Sequence, residues 1–466
     1  MRWTPEALVS ITGGRLRARA DRPIHAAFID SRQPLADGLF VPIVAARDGH
    51  EFIDAAVAGG ASAVLQARDR PPIAGVTTVE VDDTLRALER LAIDARDRCG
   101  GPVVAITGSN GKTTTRALVA AALGSGFERV LCTRGNLNNH LGVPLTLVGD
   151  PDDPQAMVIE LGMSAPGEND HLARIVRPTH AVITSVALEH LEFMGSIEAI
   201  ARAEAEPIAH VQAGGALVIP DDEPLLLAQA PASGGPRVLT FGPGDGSAVQ
   251  ILGVTVGERT IAELAVRLRG GRRERVRVRL QAFGAHNARN AAAALAVGAD
   301  LGLALPPMVE ALEATAPVGD RGRVLTLGGR LVIADCYNAN PGSVAAALRS
   351  LAALEVEGPR VAVLGDMLEL GPTEEQLHAE VGELAVALGI DAVITVGARA
   401  RHAASSAALG ELASVAFAAG SEPGAVALRA LQAAGEGGAI LVKGSRGMRM
   451  ERIVAALAEL VGEASR

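Results

Sequence analysis

The chain has 466 residues, of which 48% are hydrophobic and 21% charged, and its net charge at pH 7 is -10. The acidic balance argues against a nucleic-acid-binding protein, and the short apolar runs argue against a membrane span. The N-terminus has no export signal and the three scattered cysteines form no CxxC pair, which together predict a cytoplasmic protein. At about 150 residues per domain, the length predicts about three domains.

Residues 1–100 are predicted to form a small α/β domain. A short strand is expected over 38–42, a helix over 52–58 and a second strand over 61–65. A Gly-Gly-Pro cluster at 100–102 then marks the first domain boundary.

Residues 101–316 are predicted to form a second domain around a mostly parallel sheet. Short apolar strands alternate with helices, which is typical of parallel α/β folds. We expect strands at 103–106, 157–159, 181–183 and 216–219, and helices at 113–123 and 287–301. Residues 249–281 differ, because valines and leucines alternate with arginines there, and this pattern predicts antiparallel strands at one sheet edge.

Residues 317–466 are predicted to form a third domain, an open, doubly wound, Rossmann-like sheet that begins after a linker at 317–320. Its strands are expected at 331–334, 361–364, 392–395 and 440–442. The Ala- and Ser-rich run at 403–419 is expected to be loop and helix surface.

The basic residues are unusual, because only Lys112 and Lys443 are lysines and the other 41 are arginines. The chain therefore uses arginine wherever any cation is sufficient. The planar guanidinium cannot replace a compact ammonium at a site built for one. Lys112 and Lys443 are thus candidate functional residues, and the alternative is chance survival.

A phosphate-binding loop is predicted between the strand 103–106 and the helix 113–123. Its residues are Thr107, Gly108, Ser109, Asn110, Gly111, Lys112, Thr113 and Thr114. The glycines allow backbone N–H groups to turn inward, the lysine reaches the β- and γ-phosphates, and the first threonine offers its hydroxyl to Mg²⁺. The pattern is the shorter TGxxGKT form, because Ile106 stands where the longer motif has glycine.

Two further residues are candidate Mg²⁺ ligands. Glu160 ends one predicted strand and His190 follows another, so both are expected at the carboxyl edge of the sheet, near the phosphates. Taken alone, Glu160 could instead cap a helix or lie on the surface, and His190 could equally be a partly buried structural histidine.

Several strings resemble the Mur ligases, ATP-dependent amide-forming enzymes that build the peptidoglycan precursor. TGSNGKTT is followed by Glu-Leu-Gly-Met at 160–163, His-Leu-Glu at 190–192 and GAHNARNA at 284–291. Other strings are similar to the family member that adds D-alanyl-D-alanine to UDP-N-acetylmuramoyl-tripeptide. They are GNLNNHLGVP at 135–144, DCYNANP at 335–341, GDMLELG at 365–371 and VKGSR at 442–446.

The resemblance covers the whole chain and implies roles for individual residues, with ATP and Mg²⁺ as cofactors. The expected catalytic residues are Lys112, Glu160, His190 and Lys443. Nucleotide contacts are expected from the loop 107–114, from Asn290 at the adenine, and from Arg323 and Asp335. Substrate contacts are expected from Ser31, Arg32, Asn136, Asn138, Asn139, Tyr337, Asn338, Asn340 and Ser445. The first domain would bind uridine, the third would receive the dipeptide, and the protein would act as a monomer.

The chain departs from the family in its second metal site. Many Mur ligases have a carbamylated lysine on the helix after His-Leu-Glu, and Glu204 occupies that position here. We expect the Glu204 carboxylate to replace the carbamate as a ligand of the second Mg²⁺, which His190 would also bind, whereas Thr113 would serve the first Mg²⁺ and Glu160 would also serve metal. The alternative is an exposed helix glutamate, and Pro207 ends the helix early.

The expected reaction begins when the tripeptide carboxylate attacks the γ-phosphoryl group of ATP, and the amine of D-alanyl-D-alanine then attacks the acyl phosphate. Two alternatives remain open at this point. One is another Mur-type or folylpolyglutamate-type ligase, against which the DCYNAN string argues. The other is a phosphate-loop switch or motor NTPase, which would hydrolyse nucleotide without a carboxylate and an amine. Whether the third peptide residue is lysine or diaminopimelate also remains open.

Overall fold

Three separate β-sheets follow one another along the chain in a computed structural model that describes residues 3–67, 70–231 and 234–464. Helices pack on each sheet, so the predicted α/β fold class is confirmed. The three predicted segments each contain one sheet, while the domain boundaries themselves stay a prediction. Among the described helices, none is both long enough and apolar enough to cross a bilayer.

The first sheet has five strands. They are β1 (Arg15–Ala18), β2 (Ala27–Phe28), β3 (Leu39–Phe40), β4 (Ala63–Ala67) and β5 (Thr77–Val81), with helices α1 (Pro5–Thr12), α2 (Ile53–Ala58) and α3 (Thr84–Asp97). The strand order is β1-β5-β4-β3-β2, and only β1 runs antiparallel to its neighbour. Helix α3 begins where the Asp83 side chain accepts hydrogen bonds from the first free N–H groups.

The second sheet has nine strands. They are β6 (Val103–Thr107), β7 (Val130–Cys132), β8 (Ala156–Glu160), β9 (His180–Ile183), β10 (Ala216–Pro220), β11 (Arg237–Gly242), β12 (Val249–Val256), β13 (Thr260–Arg267) and β14 (Arg273–Leu280). The helices are α4 (Lys112–Gly124), α5 (Gly142–Val148), α6 (Glu168–Val176), α7 (Leu191–Met194), α8 (Ile197–Ala205), α9 (Pro224–Leu227), α10 (His286–Asp300) and α11 (Leu305–Ala314). The order is β14-β13-β12-β11-β10-β9-β6-β8-β7, with antiparallel pairing only at β12, β13 and β14, as predicted.

The strand β6 is apolar along its whole length because both of its faces are covered. Val104 and Ile106 join a core with helices α4 and α10, whereas Val103 and Ala105 join a core with α5, α6 and α3 of the first segment. Strands buried on both faces are typical of parallel sheets under helices. The packing holds the carboxyl end of β6, where the predicted phosphate loop begins, in a fixed place.

The third sheet has six strands. They are β15 (Arg323–Leu327), β16 (Arg330–Asp335), β17 (Arg360–Gly365), β18 (Ala392–Val396), β19 (Ala413–Phe417) and β20 (Ala439–Lys443). The helices are α12 (Pro341–Ala352), α13 (Glu374–Ala387), α14 (Arg401–Leu409), α15 (Pro423–Ala434) and α16 (Glu451–Ala464). The order is β15-β16-β20-β17-β18-β19, and every neighbouring pair except β15 and β16 is parallel.

The prediction for residues 403–419 was wrong in part. Residues 413–417 form the edge strand β19 instead of surface loop, and β19 pairs with β18 along its full length. Its residues are only half-buried or exposed, so the run lacks the apolar pattern by which the other parallel strands were identified. The strand exists because β18 supplies the hydrogen-bonding partners.

Candidate active site

A cleft of about 1090 Å³ lies where the carboxyl ends of the second and third sheets face each other. Of the predicted site residues, it is lined by Ser109, Asn110, Gly111, Lys112, Thr113, Thr114, Asn138, Asn139, Glu160, His190, Asn290, Asp335, Tyr337, Asn338, Asn340 and Lys443. Ligands in open α/β sheets bind beyond the carboxyl ends of the strands, which agrees with this placement. The structure therefore brings together residues that are more than 300 positions apart in the sequence.

Eight predicted residues do not line this cleft. They are Ser31, Arg32, Asn136, Thr107, Gly108, Glu204, Arg323 and Ser445. Arg32 lies on the first segment, where its exposed guanidinium pairs with Asp30. Asn136 is exposed, whereas Thr107 and Gly108 lie at the base of the phosphate loop and hold it.

Two positions of the phosphate loop require glycine. Gly108 and Gly111 have φ angles of 115° and 85°, which residues with a Cβ rarely adopt. A Cβ on Gly108 would lie 2.2 Å from Thr184 Oγ1, and one on Gly111 would lie 2.5 Å from Asn290 Oδ1. The loop thus packs so closely on its neighbours that only glycine fits, and helix α4 begins directly after it.

The Lys112 ammonium lies inside the loop. Its Nζ donates a hydrogen bond to the Gly108 carbonyl oxygen at 2.6 Å and lies 3.9 Å from Glu189 Oε1. Burial alone would lower the pKa of Lys112, but the carboxylates of Glu189, Glu204 and Glu160 outweigh it and the pKa lies above its ordinary value. Lys112 is therefore a firmly charged cation at the predicted phosphate site.

The residues around Glu160 fit a magnesium ion. Thr113 Oγ1 donates to Glu160 Oε1 at 3.3 Å, and Asn138 Nδ2 donates to the same oxygen at 3.0 Å. The other oxygen, Oε2, is buried without a hydrogen-bond partner and lies 3.3 Å from an Arg116 guanidinium nitrogen. Hydroxyl and carboxylate oxygens are the donors that Mg²⁺ prefers.

The described protein side chains alone do not complete the coordination sphere of a metal ion. Across the described part of the chain, no group of three His, Cys, Asp or Glu side chains is close enough to hold an ion. Mg²⁺ in nucleotide sites commonly uses one or two carboxylates together with phosphate oxygens and water. Thr113 and Glu160 match that incomplete donor set.

Glu204 lies beneath the loop instead of in the cleft. Its buried Oε2 accepts hydrogen bonds from the Gly108 N–H at 2.8 Å and from Asn169 Nδ2 at 3.3 Å. The glutamate stem is shorter than that of a carbamylated lysine, and the carboxylate ends at the loop backbone. The contacts that the structure gives Glu204 are thus structural, and its expected role as a metal ligand stays a prediction.

Glu189 is a residue that the sequence analysis did not identify. Burial is the main cause that raises its pKa, to about 8, while Lys112 lowers it and Glu204 raises it further through charge and a hydrogen bond. Three carboxylates surround one ammonium, so they cannot all be ionised at low cost. Glu189 is the carboxyl whose pKa is raised, and its position next to His190 was the only signal for it in the sequence.

The third sheet contributes a second lysine site. Lys443 is 3% exposed, and its Nζ donates to Asp335 Oδ2 at 2.7 Å and to the Asn338 carbonyl oxygen at 3.0 Å. Ser445 Oγ donates to the Ala339 carbonyl oxygen at 3.1 Å. Lys443 and Ser445 therefore hold the loop that follows β16 against the cleft.

Arg321 faces the cleft, whereas the predicted nucleotide contact Arg323 does not. The Arg321 guanidinium carbon lies 3.4 Å from the centre of the Tyr337 ring, which is a cation–π contact. Arg323 instead pairs with Asp320 at 2.7 Å. Arg321 lies just before β15 and Arg323 is its first residue, and nothing in the sequence distinguishes the two arginines.

Two hydrogen-bonded side-chain pairs connect the second and third segments. Asn340 Nδ2 donates to Asn110 Oδ1 of the phosphate loop at 2.9 Å. His190 Nδ1 lies 2.6 Å from Glu369 Oε2, which belongs to the loop after β17. Asn290 is fixed within the second domain, since it accepts from Thr115 Oγ1 and donates to Asn287 Oδ1.

The phosphate loop of the second sheet faces the third, Rossmann-like sheet across one cleft, and this arrangement defines a ligase of the Mur type. Two family models agree with this class. The Mur ligase middle domain matches residues 106–298, and the Mur ligase glutamate ligase domain matches residues 320–446. The chain belongs to the Mur ligase family.

Similar proteins within the family share one name. The UDP-N-acetylmuramoyl-tripeptide--D-alanyl-D-alanine ligase of Bacillus subtilis strain 168 is 37% identical, over 94% of this chain and 93% of the relative. The enzyme of that name from Escherichia coli K12 is 35% identical over 98% of both chains. A crystal structure of MurF from Acinetobacter baumannii superposes with a TM-score of 0.83 at 30% identity and covers 98% of this chain and 99% of its own. MurF from Thermotoga maritima in complex with ADP gives 0.82 at 27% identity, with coverages of 95% and 98%.

Proposed function

We propose that this protein joins D-alanyl-D-alanine to the terminal carboxylate of UDP-N-acetylmuramoyl-tripeptide and converts ATP into ADP and phosphate. It is an ATP-dependent carbon–nitrogen ligase of peptidoglycan precursor synthesis, acting in the cytoplasm. One observation carries the proposal, because a single cleft joins the phosphate loop of the second sheet to the DCYNANP loop and Lys443 of the third. The shared name of relatives that align with nearly the whole chain supports the choice of substrates.

In the first step, the tripeptide carboxylate attacks the γ-phosphoryl group of ATP, and the acyl phosphate and ADP are formed. Lys112 and the backbone N–H groups of the loop bind the phosphates, and Arg321 faces them from the third domain. Thr113, together with Glu160, would hold a first Mg²⁺ and His190 a second, and these ions neutralise phosphate charge when they are bound. The protein mainly aligns the two anions and compensates their repulsion.

In the second step, the amine of D-alanyl-D-alanine attacks the acyl carbon, the C–O bond to phosphate breaks, and the amide forms. Water would destroy the acyl phosphate in an open site, so closure of the domains on the ligands protects it. We assign the dipeptide to the loop that contains Tyr337, Asn338 and Asn340, near Lys443. An ammonium with two acceptors already bound still has a third N–H to offer to a carboxylate or phosphoryl oxygen.

The remaining site residues keep their expected roles within this proposal. Asn290 contacts adenine, Asp335 the nucleotide, and Ser445 supports the dipeptide loop. The other substrate contacts lie along the path of the UDP-linked peptide, at Ser31, Arg32, Asn136, Asn138 and Asn139. The protein is a monomer with three domains at 1–100, 101–316 and 317–466.

Membership of a ligase family decides against a switch or motor NTPase. The amine substrate distinguishes the proposed activity from that of a different Mur-type or folylpolyglutamate-type ligase. The test supplies UDP-N-acetylmuramoyl-tripeptide and Mg-ATP, adds D-alanyl-D-alanine or single amino acids in turn, and measures phosphate release and product mass. We expect release only with the complete set that contains the dipeptide. Equal release without the acceptor, or with a single amino acid instead, would contradict the proposal.

A further inference from the structure

The contact between His190 and Glu369 joins two domains across 179 positions of sequence. His190 follows β9 in the second domain, directly before α7, and Glu369 lies in the loop after β17 in the third. The imidazole Nδ1 lies 2.6 Å from Glu369 Oε2. The backbone adds a longer contact, because the Glu192 N–H lies 3.5 Å from the Glu369 carbonyl oxygen.

The backbone holds both residues in an uncommon conformation. His190 has a φ angle of 49° and Glu369 one of 64°, so both lie in the left-handed region although neither is glycine. Residues held in this way concentrate at sites where a side chain must point in one direction. Here both left-handed residues belong to the same hydrogen-bonded pair.

We propose that Glu369 is a positioning residue for the metal ligand His190. The carboxylate accepts the Nδ1–H, which fixes the tautomer of the ring and leaves Nε2 unprotonated as the ligand atom. The inference deepens the proposed function, on which it rests, because it takes His190 as a Mg²⁺ ligand. His190 lines the cleft together with the phosphate loop.

The origin of Glu369 in the third domain has a consequence for the reaction cycle. His190 is oriented for the metal only while the third domain lies against the second. The Asn340–Asn110 hydrogen bond ties the same domain to the phosphate loop. Closure therefore completes the metal site, and by linkage the bound metal and nucleotide favour closure. The acyl phosphate forms when the amine-binding domain is already in place.

Stability does not explain the pair. The Glu369 side chain is 52% exposed, and exposed ion pairs contribute little to folding. Another histidine–glutamate pair, His402 and Glu375, lies on the surface of the third domain, with 3.7 Å between His402 Nε2 and Glu375 Oε1. Neither residue lines the cleft. That pair provides a matched control of the same chemistry.

The test measures Mn²⁺ binding to the full chain in the presence of ADP, by the electron paramagnetic resonance signal of free Mn²⁺. For Glu369→Ala we expect a Mn²⁺ dissociation constant at least tenfold higher, since loss of a residue that orients a ligand typically costs 10- to 100-fold in metal affinity. Glu369→Gln keeps a neutral acceptor for the Nδ1–H and should fall between the alanine variant and the parent. Glu375→Ala should bind as the parent does, and thermal melting confirms that every variant is folded.

His190→Ala separates the possible failures. If it weakens Mn²⁺ binding while Glu369→Ala does not, the positioning role is wrong and the proposed function stands. If neither variant changes Mn²⁺ binding, His190 is not a ligand and the inference fails with that assignment. If the parent protein releases no phosphate with both substrates, the proposed function itself fails. Support requires that the two single variants and the double variant weaken binding to a similar extent, because the residues then act as one unit.

Discussion

Lys112 and Lys443 occupy corresponding places in two different sheets, yet their surroundings differ. Each lies beyond or at the carboxyl end of a central parallel strand and lines the same cleft. Lys443 is held by a carboxylate, since it donates to Asp335 at 2.7 Å. Lys112 donates only to the Gly108 carbonyl at that range, and its nearest carboxylate, Glu189, is 3.9 Å away.

The difference in hydrogen-bond partners indicates which lysine can act on a ligand. A buried ammonium with a close carboxylate is neutralised in place and fixes the structure around it. An ammonium held by a carbonyl, with its charge maintained by more distant carboxylates, can turn to a phosphate at little cost. We infer that Lys112 serves the nucleotide directly, whereas Lys443 chiefly shapes the loop that receives the second substrate.

The largest effect is expected for Lys112. Lys112→Ala should lower kcat for phosphate release by about 10³-fold or more, which corresponds to about 4 kcal/mol of lost transition-state stabilisation. Lys112→Arg should not rescue it, because the planar guanidinium does not fit the closed loop. Steady-state kinetics with both substrates measure the effect. Turnover within tenfold of the parent in either variant would contradict the assignment.

A smaller effect is expected for Lys443. Lys443→Arg should lower kcat about 100-fold, or about 2.7 kcal/mol, because the larger group displaces the loop around Asn338. KM for D-alanyl-D-alanine should rise more than KM for ATP, and this separates the two lysines. Arg452→Lys, an exposed exchange in the same domain, serves as the control and should be neutral. Unchanged kinetics for Lys443→Arg would remove the requirement for an ammonium.

The smallest effect concerns the proton on Glu189. Its pKa is about 8 in the folded protein, against an ordinary value of 4.5, so between these values the folded state holds a proton that the unfolded chain releases. Stability therefore falls as the pH rises through this window. Glu189→Gln mimics the protonated form, so its gain in Tm over the parent should be larger at pH 8 than at pH 5.

Thermal melting of both proteins at the two pH values measures this difference. Glu192→Gln, an exchange at an exposed neighbouring residue, provides the control and should follow the parent at both values. An equal difference between Glu189→Gln and the parent at pH 5 and pH 8 would show that Glu189 is ionised like an ordinary surface carboxyl.

The contiguous parts of the site could be predicted because their chemistry is local. The segment from Thr107 to Thr114 runs from the end of β6 into the first turn of α4, so its geometry follows from the neighbouring backbone. Glu160, Asp335 and Lys443 each end a strand, and the parallel-sheet rule places such residues at one edge. Their meeting in one cleft follows from that rule once the strands are identified.

Other parts depended on contacts that no local pattern encodes. Arg321 and Arg323 cannot be distinguished by sequence. Only the packing of β15 and the linker places the Arg321 guanidinium over the Tyr337 ring. The edge strand β19 has no apolar alternation of its own and forms because β18 offers hydrogen bonds. Glu204 was assigned by counting from His190, and its contact with the loop backbone at Gly108 became visible only in the structure.

The amino-acid sequence by itself determined the class of fold, the phosphate loop and the strand ends that line the cleft, because these depend on periodicity and on neighbouring residues. Only the tertiary structure decided that Glu189 stands beside Lys112, that Glu369 reaches His190, and that Lys443 pairs closely with a carboxylate whereas Lys112 binds a carbonyl oxygen. These contacts join residues far apart in the chain, and their distances follow from how the sheets and domains pack.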